Sequence, residues 1–348
     1  MVVDVEVPAP FRAYFLGLPT MNYKSESRRR TPWTGNDDAT PVQRFIDSCN
    51  TANYDKKHPS VKDSLERELL DNYQVKECRH CGSKSFQSYG KTAAGTRRYY
   101  CNDCHRTFTI LTNTIFDQRK IPISEWLDFL LSLMGNGSFS LTSKSNRNAF
   151  NTTKYWFRKV FLLLTDWQDS IMLEGGVYLD ETYYSVISSE QMMNADGTKP
   201  RGLSSNKICI GVASDGKNTI AFVAGKGKPS KKHAWEAFGS HIAPGSLLIH
   251  DGDNSHSILI EKLKLTEEVH TTEDTKGLKD EENPLFTINR THFFLKRFLN
   301  AHSGFNRAEL QDYLNFFCFV SRGKSKFEKV EELMEIAFQK SNFLRYRG

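Results

Sequence analysis

The sequence predicts a multidomain protein of mixed class, α+β and α/β, and three observations support this prediction. Two Cys-x2-Cys pairs lie between residues 78 and 104, three segments with helical apolar spacing follow, and the second half alternates β-rich runs with helical segments. The chain has 348 residues, enough for two or three domains. Its 39% hydrophobic and 25% charged residues are typical of folded proteins and exclude bulk disorder.

The sequence shows neither a membrane span nor an export signal. The longest apolar-rich stretch, residues 126–134, is much shorter than the ~20 residues that cross a bilayer. The chain starts MVVDVEVPAP, with acids and prolines where a signal peptide has basic residues and an apolar run. We therefore expect a soluble, cytoplasmic protein without a membrane partner.

The net charge of +6 is unevenly distributed along the chain. Residues 1–165 hold 24 Lys and Arg against 16 Asp and Glu, and residues 166–348 hold 23 against 25, which gives +8 and −2. A basic first half indicates contact with a polyanion such as nucleic acid. Chance variation along a long chain is the alternative explanation of this charge difference, so the charge alone does not establish contact with nucleic acid.

Four of the seven cysteines form the two pairs, with 19 residues between them: Cys78, Cys81, Cys101 and Cys104. This spacing is typical of a tetrahedral Zn²⁺ site, in which each pair forms a tight turn that presents two thiolates. Two disulfides or four unrelated thiols are the alternatives, and disulfides are disfavoured inside cells. We predict a zinc ribbon over residues 76–112, with strands at 85–89, 96–101 and 105–108 and a turn at 90–95.

Residues 1–75 carry the weakest signal. Residues 1–40 contain four prolines and an arginine run, which indicates a loosely ordered arm. Short helices are predicted at 41–49 and 60–73 from their apolar spacing. No chemistry is assigned to this segment.

Residues 120–166 are predicted to form three helices. Two short helices followed by a basic third one fit a helix-turn-helix, whose last helix enters the major groove of DNA. Lys154, Arg158 and Lys159 are expected on one exposed face of the third helix, and Arg97 and Arg98 of the ribbon are further candidates for phosphate contact. A three-helix connector, and a solvated ribbon surface, are the alternatives.

The second half alternates predicted strands and helices in an informative order. Three strands, a helix, a strand and two helices match the ribonuclease H-like fold, a three-stranded antiparallel meander continued by parallel strands with flanking helices. We predict this domain over residues 172–320, with a C-terminal helical tail at 321–348. The predicted strands are 176–180, 207–214, 219–224 and 246–250, and the predicted helices are 234–242, 255–265 and 289–301.

An acid ends the first of these strands and another follows the fourth. Asp180 and Asp251 are therefore expected at neighbouring strand ends in this topology. Two close carboxylates repel each other and stay ionised when cations lie between them, and hard oxygen ligands suit Mg²⁺ or Mn²⁺. A single aspartate at a strand end is usually a turn residue, but two at adjacent ends favour a metal site for phosphoryl transfer.

The motifs CRHC, CNDC, VYLDETYY and LLIHDGDNSH, with the helical segment around Trp126, resemble bacterial insertion-sequence transposases of the zinc-ribbon, DDE-type class. The resemblance covers roughly residues 76–320. It implies a ribonuclease H-like domain that cuts and joins transposon ends with divalent metal, and Asp180 and Asp251 as the first two catalytic acids. It also implies double-stranded DNA as partner, at least a homodimer on DNA, and action at the bacterial nucleoid.

At the third catalytic position the sequence departs from the usual glutamate. Asn289 stands there, with Lys296 seven residues later on the same helical face, which resembles the DDNK variant of the class. In that variant asparagine supplies an oxygen ligand and the lysine contacts DNA. Glu281 and Glu282 are the competing third ligands, but they belong to an acidic segment predicted as a loop.

Three neighbouring residues receive lesser predictions. His292 lies one turn after Asn289 and is a weaker site candidate. Glu181 is expected on the opposite face of its strand from Asp180, and Asp253 is expected to be a turn residue.

The resemblance predicts a DNA transposase that binds terminal inverted repeats and cleaves and transfers DNA strands, with Lys231, Lys232 and Arg297 holding the phosphate backbone. A zinc-ribbon transcriptional regulator without catalysis and a ribonuclease H-like nuclease are the alternatives. A regulator needs no paired carboxylates, and a nuclease would cleave without preference for particular repeats.

Overall fold

The computed structural model describes residues 63–339, apart from 94, 118–122, 137–138, 147–148 and 303, together with positions 40–42, 44–45 and 48. Of the predicted arm at 1–40, residues 1–39 lie outside the described residues. Of the predicted helix at 41–49, positions 41, 42, 44, 45 and 48 are described and are helical. The helices and strands named below belong to one compact unit, Ser60–Gly348. No helix among its described residues is long and apolar enough to cross a membrane.

A small antiparallel sheet lies next to the four cysteines. It has the strand order β1-β2-β3, with both pairs antiparallel, as the sequence predicts. A helix, α1, precedes it within the predicted 60–73 segment. The bounds are α1 Asp63–Asp71, β1 Phe86–Lys91, β2 Arg97–Cys101 and β3 Thr107–Thr109.

Three helices follow, and the prediction of helices between 120 and 166 is confirmed. The apolar positions of the first and third helices meet in a shared core, where the rings of Trp126 and Trp156 stack with centroids 4.7 Å apart. The bounds are α2 Ile123–Asn136, α3 Phe139–Ser145 and α4 Phe150–Leu164.

The second half forms a five-stranded mixed sheet with the order β6-β5-β4-β7-β8. Strands β4, β5 and β6 pair antiparallel, and β7 and β8 continue the sheet in parallel from β4. These are the strand directions that the sequence predicts for the meander and its continuation. The edge strand β8 was not predicted. The bounds are β4 Gly176–Ser185, β5 Lys207–Ser214, β6 Thr219–Lys226, β7 Leu247–His250 and β8 Thr266–Val269.

Helices cover both faces of this sheet. The remaining helices are α5 Lys231–Phe238, α6 Ser257–Leu263, α7 Thr272–Thr275, α8 Phe286–Ala301, α9 Leu310–Ser321 and α10 Lys326–Gln339. On one face, α5 and α6 pack against side chains such as Val177 and Leu179 of β4. On the other, α8 and α9 join the cluster that also contains α2, α4 and α10. The predicted domain boundaries stay predictions, because this shared core crosses them.

Close packing at one glycine fixes the distance between α5 and the sheet. Gly211 is buried in β5, and a Cβ atom there would lie 2.8 Å from the ring of Phe238. Atoms that close clash, so a larger residue would push α5 away from the sheet. The glycine therefore lets the aromatic ring lie directly on the backbone of β5.

Candidate functional site

Asp180 lies on β4 and Asp251 directly follows the neighbouring strand β7, although Asp180 is placed differently from the prediction. β4 runs parallel to β7 in a register that pairs Tyr178 with Ile249. Two residues further along each strand are Asp180 and Asp251, so continuing the register brings them level. The prediction that Asp180 ends its strand is wrong, because β4 goes on to Ser185 by pairing with β5.

Alternation along the strand directs Asp180 towards α8. Tyr178 packs in the cluster on that side of the sheet, and Asp180, two residues later, shares its face. The carboxylate oxygen Oδ2 of Asp180 lies 3.6 Å from Nδ1 of His292 on α8, and the Asp180 side chain is only 23% exposed. The site is therefore a partly buried acid between the sheet and α8.

The electrostatic state of Asp180 reflects this position. Burial, and then the negative charge of Asp251, raise the pKa of Asp180 from 3.8 to about 7. The backbone N–H of Glu181 donates to Oδ1 of Asp180 at 2.8 Å, and this hydrogen bond lowers the pKa of Asp180. A divalent cation between the two carboxylates would remove this repulsion. The donor set of two carboxylates thus fits a hard cation such as Mg²⁺ or Mn²⁺.

Helix α8 carries the other predicted catalytic residues. Asn289 is exposed and lies one turn before His292, on the same side of the helix. Lys296 is exposed one turn after His292. Burial, and then the charge of Lys296, lower the pKa of His292 to about 4, so this imidazole is neutral near pH 7. His292 thus packs α8 on β4, with Asn289 and Lys296 on either side of it.

The competing glutamates are placed away from this helix. Glu281 and Glu282 are exposed in the turns that precede α8. Asp253 is a turn residue, as predicted: it caps a short 3₁₀ turn, and its Oδ1 accepts from the N–H of Ser255 at 2.7 Å. The metal-ligating roles of Asp180, Asp251 and Asn289 remain predictions.

Two histidines that the sequence interpretation did not single out lie beside Asp251. Nε2 of His256 is 3.0 Å from Oε1 of Glu181, and Nδ1 of His256 is 2.9 Å from Nδ1 of His250. Glu181 therefore points to the face opposite Asp180, as predicted, where it meets the turn before α6. The HDGDNSH motif, with a histidine on each side of Asp251, is the signal that could have identified them.

The histidine pair forms a directed hydrogen-bond chain. The N–H of Gly252 donates to Nδ1 of His250, so His256 is the donor between the two rings. Burial alone would lower the pKa of His256, but its hydrogen bond to Glu181 and that carboxylate's charge raise it, whereas burial and His256 lower the pKa of His250. His250, Asp251 and His256 offer ligand atoms within 4.8 Å of one another, but both Nδ1 atoms are already engaged.

The four predicted cysteines converge in one cluster. Sγ of Cys78 lies 3.7 Å from that of Cys104, and Sγ of Cys81 lies 3.6 Å from that of Cys101. A disulfide would require about 2.05 Å, so these thiols are free, whereas a Zn–S bond of about 2.3 Å gives a tetrahedral edge near 3.8 Å. Hydrogen bonds from the backbone N–H groups of Cys104 and Asp103 help lower the pKa of Cys101 to about 7. The residues fit Zn²⁺.

Most of the basic residues proposed for DNA contact lie at the surface. Lys154, Lys231 and Arg297 are exposed. Lys232 has Glu236 at 3.7 Å, and Arg97 forms an ion pair with Asp71 at 3.0 Å. Arg98 is half-buried, with its guanidinium 5.0 Å above the ring of Tyr89.

The prediction of an exposed basic face on α4 is wrong for Lys159. This residue is 6% exposed, and its ammonium donates to the carbonyl of Ile115. The face is covered because α4 packs against several helices at once. Arg158 remains half-exposed, but it forms a 2.8 Å ion pair with Glu309. Of the three residues, Lys154 and Arg158 are exposed and Lys159 is buried.

Comparisons with known proteins add little detail. No protein-family model matches the sequence, and no curated protein matches it either. Solved structures that are similar include a pre-cleavage Mos1 transpososome, at 12% identity over 65% of this chain and 80% of that chain with a TM-score of 0.25. A Mos1 mariner paired-end complex with Mn has 11% identity over 62% of this chain and 76% of that chain, with a TM-score of 0.27. A Mos1 transposase paired-end complex with the left transposon end has 12% identity over 65% of this chain and 80% of that chain, with a TM-score of 0.26. No residue of this chain takes a role from them.

Proposed function

We propose that the chain is a DNA transposase of the DDE type in its DDNK variant, which cuts DNA at terminal inverted repeats and joins the ends to a target. The observation that carries the proposal is the position of Asp180 on β4 beside Asp251, which directly follows the parallel strand β7, where burial and then the charge of Asp251 raise the pKa of Asp180. Paired carboxylates of this kind are what metal-dependent phosphoryl transfer requires.

Each residue of the site has a defined task in this proposal. Asp180, Asp251 and Asn289 would hold Mg²⁺ or Mn²⁺. When bound, the metal would lower the pKa of the attacking water or 3′-hydroxyl and offset negative charge on the phosphodiester. The Lys296 ammonium, exposed one turn from His292, would hold a phosphate oxygen of the DNA. Neutral His292 positions α8 against Asp180.

The first half of the unit would recognise the DNA. Cys78, Cys81, Cys101 and Cys104 would hold Zn²⁺ in a zinc ribbon, and α2–α4 would act as a helix-turn-helix. The proposed phosphate contacts come from exposed or partly exposed basic side chains: Arg97, Arg98, Lys154, Arg158, Lys231, Lys232 and Arg297. Joining two ends requires two copies of the site, so a homodimer on DNA in the bacterial cytoplasm is part of the proposal.

Metal-dependent cleavage of flanking-repeat DNA tests the proposal. We expect the purified protein to cut a duplex that carries the repeats bordering its coding region, in the presence of Mg²⁺, and Asp180→Asn and Asp251→Asn to abolish cutting while DNA binding persists. Asn289→Ala should reduce cutting, whereas Glu281→Gln should leave it unchanged. Sequence-specific binding without any cleavage would support a regulator, and cleavage indifferent to the repeat would support a nuclease.

A further inference from the structure

Helix α8 exposes large aromatic side chains beside the candidate site. Phe293 is 55% exposed and Phe294 is 45% exposed, although their neighbours Ile288, Leu295 and Leu299 are buried. With the 3.6-residue repeat of a helix, both arginines of α8 and three of its four phenylalanines fall on one outer face, whereas Phe298 packs against the core. We call this face the aromatic–arginine stripe, and it consists of Phe286, Arg290, Phe293, Phe294 and Arg297.

The stripe combines positive charge with flat apolar surfaces. The guanidinium of Arg297 lies 5.5 Å from the ring centroid of Phe293, and that of Arg290 lies 5.6 Å from that of Phe294. The sequence of α8, FTINRTHFFLKRFLNA, has three basic residues and no acidic one. A partner for such a face must be anionic and must also offer flat apolar surfaces, which describes a nucleic acid strand with accessible bases.

The position of the stripe relates it to the catalytic residues. Phe293 lies one turn after Asn289 and about 40° further around the helix, given ~100° per residue. The inner face of the same helix packs on Asp180 through His292. Phe293 thus borders the side of α8 that carries Asn289, and Phe294 lies about 100° further around, so a strand bound at Asp180 and Asp251 would reach the stripe at Phe293.

We propose that the aromatic–arginine stripe is a stacking platform for unpaired bases adjacent to the phosphodiester that is cut. This inference rests on the proposed function and names the form of DNA that the site takes. Bases within a duplex are stacked on each other and have no free face, so the platform binds bases that have left the helix. The arginines hold the flanking phosphates while the rings hold the bases.

Binding of single-stranded probes tests the proposal independently of cleavage. Fluorescence anisotropy compares an oligothymidylate of about 20 nucleotides with an abasic strand of the same length, without added Mg²⁺ and in an Asp251→Asn background. We expect the F293L/F294L double variant to bind oligothymidylate roughly 5- to 100-fold more weakly, because each stacked base contributes appreciably. Its affinity for the abasic strand should be unchanged.

A matched control comes from α10. Phe327 is 59% exposed, and the ammonium of Lys326 lies 5.2 Å from its ring centroid, so Phe327→Leu removes an equivalent cation-covered ring elsewhere. This variant should bind both probes like the parent, and circular dichroism should show all variants equally folded. Equal losses on both probes, or no loss on either, would overturn the proposal. A monomeric double variant of a dimeric parent, with unchanged probe binding, would instead make the stripe a protein interface.

These outcomes remain distinct from those of the proposed function. If the protein never cuts repeat DNA but discriminates between the two probes through Phe293 and Phe294, the catalytic proposal fails and base stacking stands. If it cuts repeat DNA and the double variant binds both probes normally, the platform alone fails.

Discussion

The imidazole of His256 and the carboxylate of Glu181 meet in a buried hydrogen-bonded contact on one face of the central strand β4, with 3.0 Å between Nε2 and Oε1. Their side chains are 0% and 6% exposed. The pair links β4 to the turn that follows Asp251, so it holds the middle of β4, which carries Asp180, against the segment that follows β7 and carries Asp251. A buried charge that loses its partner is costly, because it has no water to replace it.

Removing the histidine should therefore destabilise the fold. We expect His256→Phe to lower the free energy of unfolding by about 3 kcal/mol at pH 7, since it leaves Glu181 buried without a partner. Glu181→Gln combined with His256→Phe should recover part of this loss, because no charge remains buried. Urea denaturation of the full chain measures both. Equal stability of His256→Phe and the parent would show that the contact between His256 and Glu181 contributes nothing to stability.

The pH dependence of stability should report the raised pKa of Asp180. In the unfolded chain this group titrates near its ordinary value of 3.8, and in the metal-free fold at about 7. Between these values the folded state holds a proton that the unfolded state has lost, so this contribution to stability is lost as pH rises through 7.

Asp180→Asn removes this contribution. Relative to the parent, the metal-free variant should gain about 4 kcal/mol of unfolding free energy between pH 4 and pH 8, because each pKa unit corresponds to about 1.4 kcal/mol. Added Mn²⁺ at pH 8 should stabilise the parent and not the variant, as read from thermal midpoints. A parent–variant difference that is constant with pH would contradict the placement of Asp180 beside Asp251.

The cysteine cluster should bind one Zn²⁺ per chain. Metal analysis of the purified protein should give one equivalent of zinc, and Cys101→Ser should lose it, because a tetrahedral site needs all four thiolates. Cys209 is a buried cysteine outside the cluster, and Cys209→Ser should retain the metal. Zinc that persists in Cys101→Ser would place the metal elsewhere.

The sequence predicted those features that a regular repeat or fixed spacing encodes. The cysteine spacing located the cluster, and alternating apolar runs located β4–β7 and their order. Edge strand β8 was missed because all four residues of Thr266–Val269 are exposed, so the strand lacks the apolar alternation that marks a half-buried strand. The segment is recognised as a strand because its backbone pairs with β7, and this pairing leaves no pattern in its side chains.

Other features depended on tertiary contacts that spacing does not encode. Helical periodicity identified the inner face of α4, but it gave no sign that the turn at Ile115 and the ring of Trp126 cover Lys159. Likewise, His256 became part of the site through the turn after Asp251, which brings it under β4 to meet Glu181. Two separate segments meet there, and their sequences carry no common pattern.

The burial of Lys159 has a measurable consequence at alkaline pH. Its ammonium contacts the carbonyl of Ile115 and lies 5.1 Å from the ring of Tyr155, and burial lowers its pKa from 10.5 to about 8. Between these values the unfolded chain holds a proton that the folded chain has released. Stability contributed by this group therefore rises as pH increases from 8 towards 10.5.

A comparison of Lys159→Met with the parent isolates this effect from other lysines. The parent should gain about 2 kcal/mol of unfolding free energy relative to the variant between pH 8 and pH 10. Lys154→Met on the same helix is the control, because Lys154 is exposed, and its difference from the parent should stay constant with pH. Urea denaturation at several pH values gives both differences. A flat difference for Lys159→Met would mean that Lys159 reaches solvent, which would return it to the candidates for DNA contact.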